Sequence, residues 1–181
     1  MDPGGILALD LATVVGWAYC GPNFRPVTAL EAKAAGRTYD LGGEITSGSH
    51  LVAPPGVALG QFLDRFDLWL ADMLIVNAPD YLVFEAPIHV AGSTSIETAR
   101  RLMSMAGLTE LIAHRREIPI VREVNVMSIK KHWTGNGRAK KPEMIEAARA
   151  RGFTPRDDNE ADALAVLDFA ASILLKRRRA A

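Results

Sequence analysis

Two short apolar runs in this chain each end on a carboxylate. Ile6-Leu7-Ala8-Leu9 runs into Asp10, and Tyr81-Leu82-Val83-Phe84 runs into Glu85. Two further acids, Asp158 and Asp162, lie in Asp157-Asp158-Asn159-Glu160-Ala161-Asp162-Ala163-Leu164, which reads as the opening of a helix. A carboxylate beside core-type residues is costly to desolvate unless it is paired or binds a cation. Several such acids converging make a cage of hard oxygen ligands suited to Mg²⁺ or Mn²⁺. A cage of that kind suggests metal-assisted phosphodiester chemistry.

The order of elements allows the convergence. Ile6 to Leu11 reads as a buried strand, with Val14 to Tyr19 as its hairpin partner across a turn near Thr13. Asn23 to Tyr39 reads as irregular, and Leu41 to Thr46 as a third strand. An amphipathic helix follows, with Leu59, Phe62, Leu63, Phe66, Leu70, Met73 and Leu74 on one stripe. Pro54-Pro55-Gly56 precedes it and Asn77-Ala78-Pro79 stops it. Tyr81 to Phe84 is the next strand. Gly92 to Ser95 leads into a helix ending near Arg116, with Ala99, Leu102, Met103 and Ala106 inward.

Ile118 to Val124 reads as a fifth strand and Val126 to Trp133 as a short helix. Pro142 suits the first turn of a helix that Gly152 stops. The last helix starts near Asp158 and ends in Lys176-Arg177-Arg178-Arg179, basic residues that suit its negative dipole end. Antiparallel strands followed by alternating helices and strands indicate a three-layer α/β fold, a five-stranded mixed sheet flanked by helices. Asp10 and Glu85 would lie on neighbouring central strands, with the last helix against them. With no internal repeat and no linker, residues 1–181 read as a single domain.

The 181 residues are 49% hydrophobic with no net charge, as expected of one soluble domain with a sizeable core. The lone Cys20 excludes a disulfide within the chain and fits a reducing, cytoplasmic setting. No basic segment followed by an apolar run opens the chain, and Leu68 to Ala78 is interrupted by Asp72 and Asn77. Neither a secretory signal nor a membrane span is expected. Neutrality hides an asymmetry: up to Ser95 four bases face ten acids, and from Ile96 onward seventeen bases face eleven acids. The basic half is either a phosphate-attracting patch or a set of solvated helix faces.

Asp10 with Thr13 and Gly16-Trp17 resembles the first motif of the RuvC-type Holliday-junction resolvases, and Phe84-Glu85 resembles their second. Ile129-Lys130-Lys131 with Gly135-Asn136-Gly137-Arg138-Ala139-Lys140-Lys141 is similar to their basic third region. Ala161-Asp162-Ala163-Leu164-Ala165 is similar to their closing helix. The motifs occur in order over nearly the whole chain, and the Asn-Glu-Ala-Asp closing motif looks like that of phage-type members. The resemblance implies an RNase H-like fold, a homodimer, and paired nicking of a four-way DNA junction with two Mg²⁺ or Mn²⁺ ions per site. It implies that Asp10 bridges the ions, with Glu85 on one side and Asp158 and Asp162 on the other. Lys130 would sit near the scissile phosphate, and Lys131, Arg138, Lys140 and Lys141 would contact DNA phosphates. Arg100 and Arg101 would line the DNA channel, or else belong to a solvated helix face.

Two departures from that family stand out. Asn159 occupies the position, three before the last aspartate, where bacterial members carry an acid or a histidine. Asp158, one turn before Asp162, or Asp157 would substitute; either could instead cap the helix. Glu160 points away from Asp162 and reads as a solvated first-turn acid. After Glu85, where relatives carry a wedge-forming aromatic, the sequence is Ala86-Pro87-Ile88-His89-Val90, making Ile88 the apolar alternative. His50, His89, His114 and His132 lack paired ligand spacing, so zinc is not expected. Trp17 and Trp69 read as core, and Trp133 as packing or as a base-stacking platform.

The leading expectation is thus a junction-resolving, metal-dependent endodeoxyribonuclease. The alternatives are an RNase H-like nuclease for other branched DNA or RNA–DNA hybrids, and a catalytically weak junction-binding protein.

Overall fold

The computed structural model describes residues 4–22, 25–26, 39–40, 45–87 and 95–180. Its main sheet has strands β1 (Ile6–Asp10), β2 (Val14–Cys20), β5 (Ile45–Leu51), β6 (Tyr81–Glu85) and β7 (Ile120–Val124), in the order β5-β2-β1-β6-β7. β5, β2 and β1 are antiparallel neighbours, whereas β1, β6 and β7 run parallel. Two-residue strands β3 (Arg25–Pro26) and β4 (Tyr39–Asp40) pair with each other. The helices are α1 (Leu59–Asn77), α2 (Ile96–Arg115), α3 (Val126–Thr134), α4 (Lys141–Ala150) and α5 (Asp158–Ala180).

Alternation along β1 creates the two sides of the sheet. Leu7 and Leu9 face α1 and α2, joining a core of Phe62, Phe66, Leu70, Leu82, Phe84, Met105 and Ile112. Ile6 and Ala8 face the other way, toward Ala161, Ala163, Leu164 and Leu167 of α5. α5 lies over β1 and β2, and α3 and α4 cover its outer side. That sandwiching explains why the middle of α5, from Ala161 to Ala171, is apolar apart from Asp162 and Asp168, and its small residues let it sit close to the sheet. Among the described residues no helix is long and apolar enough to cross a membrane.

Two sequence expectations need correction. The strand expected over Leu41–Thr46 lies outside the described residues up to position 44; the described strand runs over Ile45–Leu51, beyond the expected end, pairing Ile45 with Cys20 and Leu51 with Val14. Its sequence, Ile-Thr-Ser-Gly-Ser-His-Leu, lacks an apolar run because it is an edge strand whose serines bond to α5. Met103, expected to point inward, is exposed, and Met105 is buried in its place. The inward stripe of α2 is 102, 105, 106, 109, 112 and 113, which follows helical spacing. Ile88 lies outside the described residues.

Candidate active site

β1 and β6 end side by side. Leu9 pairs with Phe84, so the next residue on each strand is the acid, Asp10 or Glu85. Asp10 has the parity of Ile6 and Ala8, and Glu85 that of Val83, so both face α5. The first turns of α5 carry Asp158 and Asp162 over the same strand ends. This approach requires Gly16, the β2 partner of Asp10. A Cβ there would lie 1.9 Å from the carbonyl oxygen of Asn159.

Electrostatics shows that the four acids share one space. Burial pushes the Asp10 carboxyl well above its ordinary range, and Glu85, Asp162 and Asp158 push it further. Glu85 is raised to about 7, first by burial and then by Asp162. Asp162 is raised to about 6, first by burial, with Asp158 adding to it. Asp158 moves the other way, because Lys141 forms an ion pair with it.

Among the described residues, the buried Oδ1 of Asp162 has no hydrogen-bond partner. Nor do any three His, Cys, Asp or Glu side chains among them stand close enough together to hold one metal ion as they are. The acids are gathered within electrostatic reach of one another. All-oxygen donors, a surplus of mutually repelling carboxylates and an orphaned buried oxygen fit a hard divalent cation.

Two lysines face the cluster. Lys130, on α3, lowers the pKa of both Glu85 and Asp162. Lys141, at the start of α4, acts on Asp158, Asp162 and Asp10. Lys141, expected from the sequence to contact DNA phosphates, forms an ion pair with Asp158. Lys131, Arg138 and Lys140 are exposed, as is Arg100. Arg101 is engaged internally: its guanidinium lies 4.6 Å from the Phe62 ring centroid and bonds the Val57 carbonyl and Glu97.

The start of α5 resolves what spacing left open. Asp157 is a helix cap, its Oδ1 accepting the Glu160 N–H at 2.9 Å while Oδ2 accepts from Ser49. Glu160, expected to be solvated, is 5% exposed; it accepts from Ser47 and from the Arg156 N–H and Nε. A carboxylate buried there is tolerated because each oxygen has a donor. Gly135, in the basic loop, caps α3 in the left-handed conformation with φ 82°, so turn geometry accounts for it.

Trp133 packs rather than offering a platform. It is buried, donates to the Met144 carbonyl at 3.1 Å, and is covered by Arg151 and Phe153. Sequence reasoning missed buried Asp168, whose Oδ2 lies 2.8 Å from His132 Nε2 and ties α5 to α3. Its signal was available: a lone acid inside Leu164-Ala165-Val166-Leu167-Asp168-Phe169-Ala170 calls for a partner.

The mixed sheet, its strand order and the helices on both faces define an RNase H-like fold. Solved structures with this fold include RuvC of Thermus thermophilus in complex with a Holliday junction substrate, at TM-score 0.70 and 18% identity over 96% of both chains. Another structure of Thermus thermophilus RuvC matches at TM-score 0.64 and 17% identity, over 95% of this chain and 96% of that one. The yeast mitochondrial Holliday junction resolvase Ydc2 matches at TM-score 0.63 and 12% identity, over 99% of this chain and 83% of that one. No family model and no curated protein matches the sequence.

Proposed function

We propose that this chain is a structure-specific endodeoxyribonuclease that resolves four-way DNA junctions by divalent-metal-dependent hydrolysis. The observation carrying the reading is the meeting of the strand-end acids Asp10 and Glu85 with Asp158 and Asp162 of α5, flanked by Lys130 and Lys141. It is supported by a fold shared with a RuvC bound to a Holliday junction.

Asp10, Glu85 and Asp162, with Asp158 as the fourth donor, would hold two Mg²⁺ or Mn²⁺ ions. When bound, the ions would activate a water and stabilise the leaving 3′ oxygen of the cleaved strand. Lys130, already close enough to lower Glu85 and Asp162, would offset charge developing on the scissile phosphate. Exposed Lys131, Arg138 and Lys140 would hold flanking phosphates and fix the register of the DNA. With both the positioning groups and the charge stabilisation in place, hydrolysis needs no covalent nucleophile. Paired nicking of two strands requires two such centres, so the active form is proposed to be a homodimer.

The test is cleavage of a synthetic four-way junction in Mg²⁺ or Mn²⁺, with linear duplex, flap and RNA–DNA hybrid as parallel substrates. Paired symmetrical cuts in the junction alone, lost in Asp10→Asn, are expected. Preferential cutting of hybrids or flaps would move the reading to another nuclease of this fold. Tight junction binding without cuts in either metal would overturn the enzymatic reading.

A further inference from the structure

We propose that Ser47 and Ser49 of edge strand β5 are positioning residues for the α5 carboxylates, a two-point clasp that orients the turn carrying Asp158 and Asp162. This rests on the metal-dependent reading above. The two serines are two residues apart on a strand and so project from one face. Ser47 Oγ donates to Glu160 Oε1 at 2.7 Å, and Ser49 Oγ donates to Asp157 Oδ2.

Capping alone does not account for this arrangement. Asp157 Oδ1 takes the Glu160 N–H, and Glu160 Oε2 takes the Arg156 N–H, both at 2.9 Å. Each acid therefore uses one oxygen for the helix end and gives its other oxygen to β5. Gly48, between the serines, faces the opposite side of the sheet, beside the Trp17 ring, and takes no part in the contact. Beneath the same turn, Gly16 sets how close the Asn159 carbonyl comes to the sheet.

The anchors at 157 and 160 fix rotation of the helix about its axis, and Asp158 and Asp162 turn with it. A carboxylate held roughly 6 Å from the axis moves about 1 Å for a rotation of about 10°. Displacement of about 1 Å at a reacting centre costs on the order of 100-fold in rate. The edge strand, which contributes no acid to the cluster, thereby governs its geometry.

The test compares wild type with Ser47→Ala/Ser49→Ala, and with Ser47→Thr/Ser49→Thr, which keeps both hydroxyls. Mn²⁺ affinity, single-turnover junction cleavage, metal-free junction affinity and melting temperature are measured on each. In the alanine pair we expect Mn²⁺ affinity to fall roughly tenfold, the low end for groups that orient metal ligands. Cleavage should fall with it, junction affinity should stay unchanged, and the threonine pair should regain both losses. A folded alanine pair with wild-type Mn²⁺ affinity and cleavage rate, whatever its melting temperature, overturns the clasp. If that pair does not fold, Ser49→Ala alone decides on the same readouts. A wild-type protein that binds no Mn²⁺ overturns the metal reading itself and the clasp with it, a failure distinguishable because it appears before any substitution.

Discussion

Asp10 and Glu85 end adjacent parallel strands one residue beyond the Leu9–Phe84 pair, and their carboxylates leave the sheet on the face that α5 covers. Two acids side by side under an apolar helix oppose folding wherever both are ionised. The fold tolerates that cost at one point of the sheet, where the helix above supplies two more acids and two lysines stand alongside. Local destabilisation concentrated in this way is what the proposed cation would relieve.

The first prediction concerns pH. Glu85 is raised from 4.5 to about 7 and Asp162 from 3.8 to about 6, and Asp10 is raised as well. For acids raised by folding, the folded state binds more protons than the unfolded one. Their contribution to stability is complete below the ordinary carboxylate range and is lost as pH climbs through about 7. Melting in EDTA should therefore occur a few degrees lower at pH 8 than at pH 5. Asp10→Asn should raise the pH 8 value and flatten part of the slope, while abolishing cleavage. Mg²⁺ should stabilise wild type more at pH 8 than at pH 5. Melting temperatures independent of pH across this window would contradict the assignment.

Lys130 is predicted to act on chemistry rather than on binding. Removing it takes away the cation that lowers both Glu85 and Asp162, so both should titrate still higher. Lys130→Ala should lower single-turnover cleavage near pH 7 by about 10² to 10³, the scale for losing one preorganised charge-stabilising group. The rising limb of the pH–rate profile should move to higher pH, and Lys130→Arg should recover part of the rate. Metal-free junction affinity should change little. An unshifted profile with weakened binding would make Lys130 a phosphate contact only.

How much of this was legible in the sequence differs from residue to residue. β1, β2 and β6 were readable because an apolar run that ends on a turn or a carboxylate fits little besides a buried strand. The extent of β5 to Leu51 was missed because an edge strand that faces the polar end of a helix needs no apolar run. Asp157, Asp158 and Glu160 could not be separated by spacing, since a cap, a ligand and a solvated acid all occupy first turns. What separates them lies far away in sequence: serines on β5 hold Asp157 and Glu160, and Lys141 holds Asp158. The His132–Asp168 tie was equally hidden, because pairing between α3 and α5 is a property of packing.

Gly16 provides a test of how closely α5 must approach. A Cβ at this position would lie 1.9 Å from the Asn159 carbonyl oxygen and 2.4 Å from its carbon, both backbone atoms that cannot rotate aside. Gly16→Ala should cost about 1–3 kcal/mol, as overpacking of a close contact does, measured by denaturant unfolding. The folded fraction should cleave poorly, because Asp162 is lifted away from Asp10 together with the helix. Wild-type stability and cleavage in this variant would show that the helix end can move without consequence.

The exposed cations are expected to show themselves through salt. Lys131, Arg138 and Lys140 are exposed in and around the loop between α3 and α4. If each neutralises one phosphate, replacing all three by glutamine removes three released counterions. The slope of log affinity against log salt should then become shallower by roughly 2–3, given about 0.9 per duplex phosphate contact. Affinity at low salt should fall for junction and linear duplex alike, since phosphate contacts carry no sequence or branch information. The cleavage rate at saturating protein should be preserved, which separates these residues from Lys130. A triple variant with an unchanged salt slope would place the DNA on a different face of the protein.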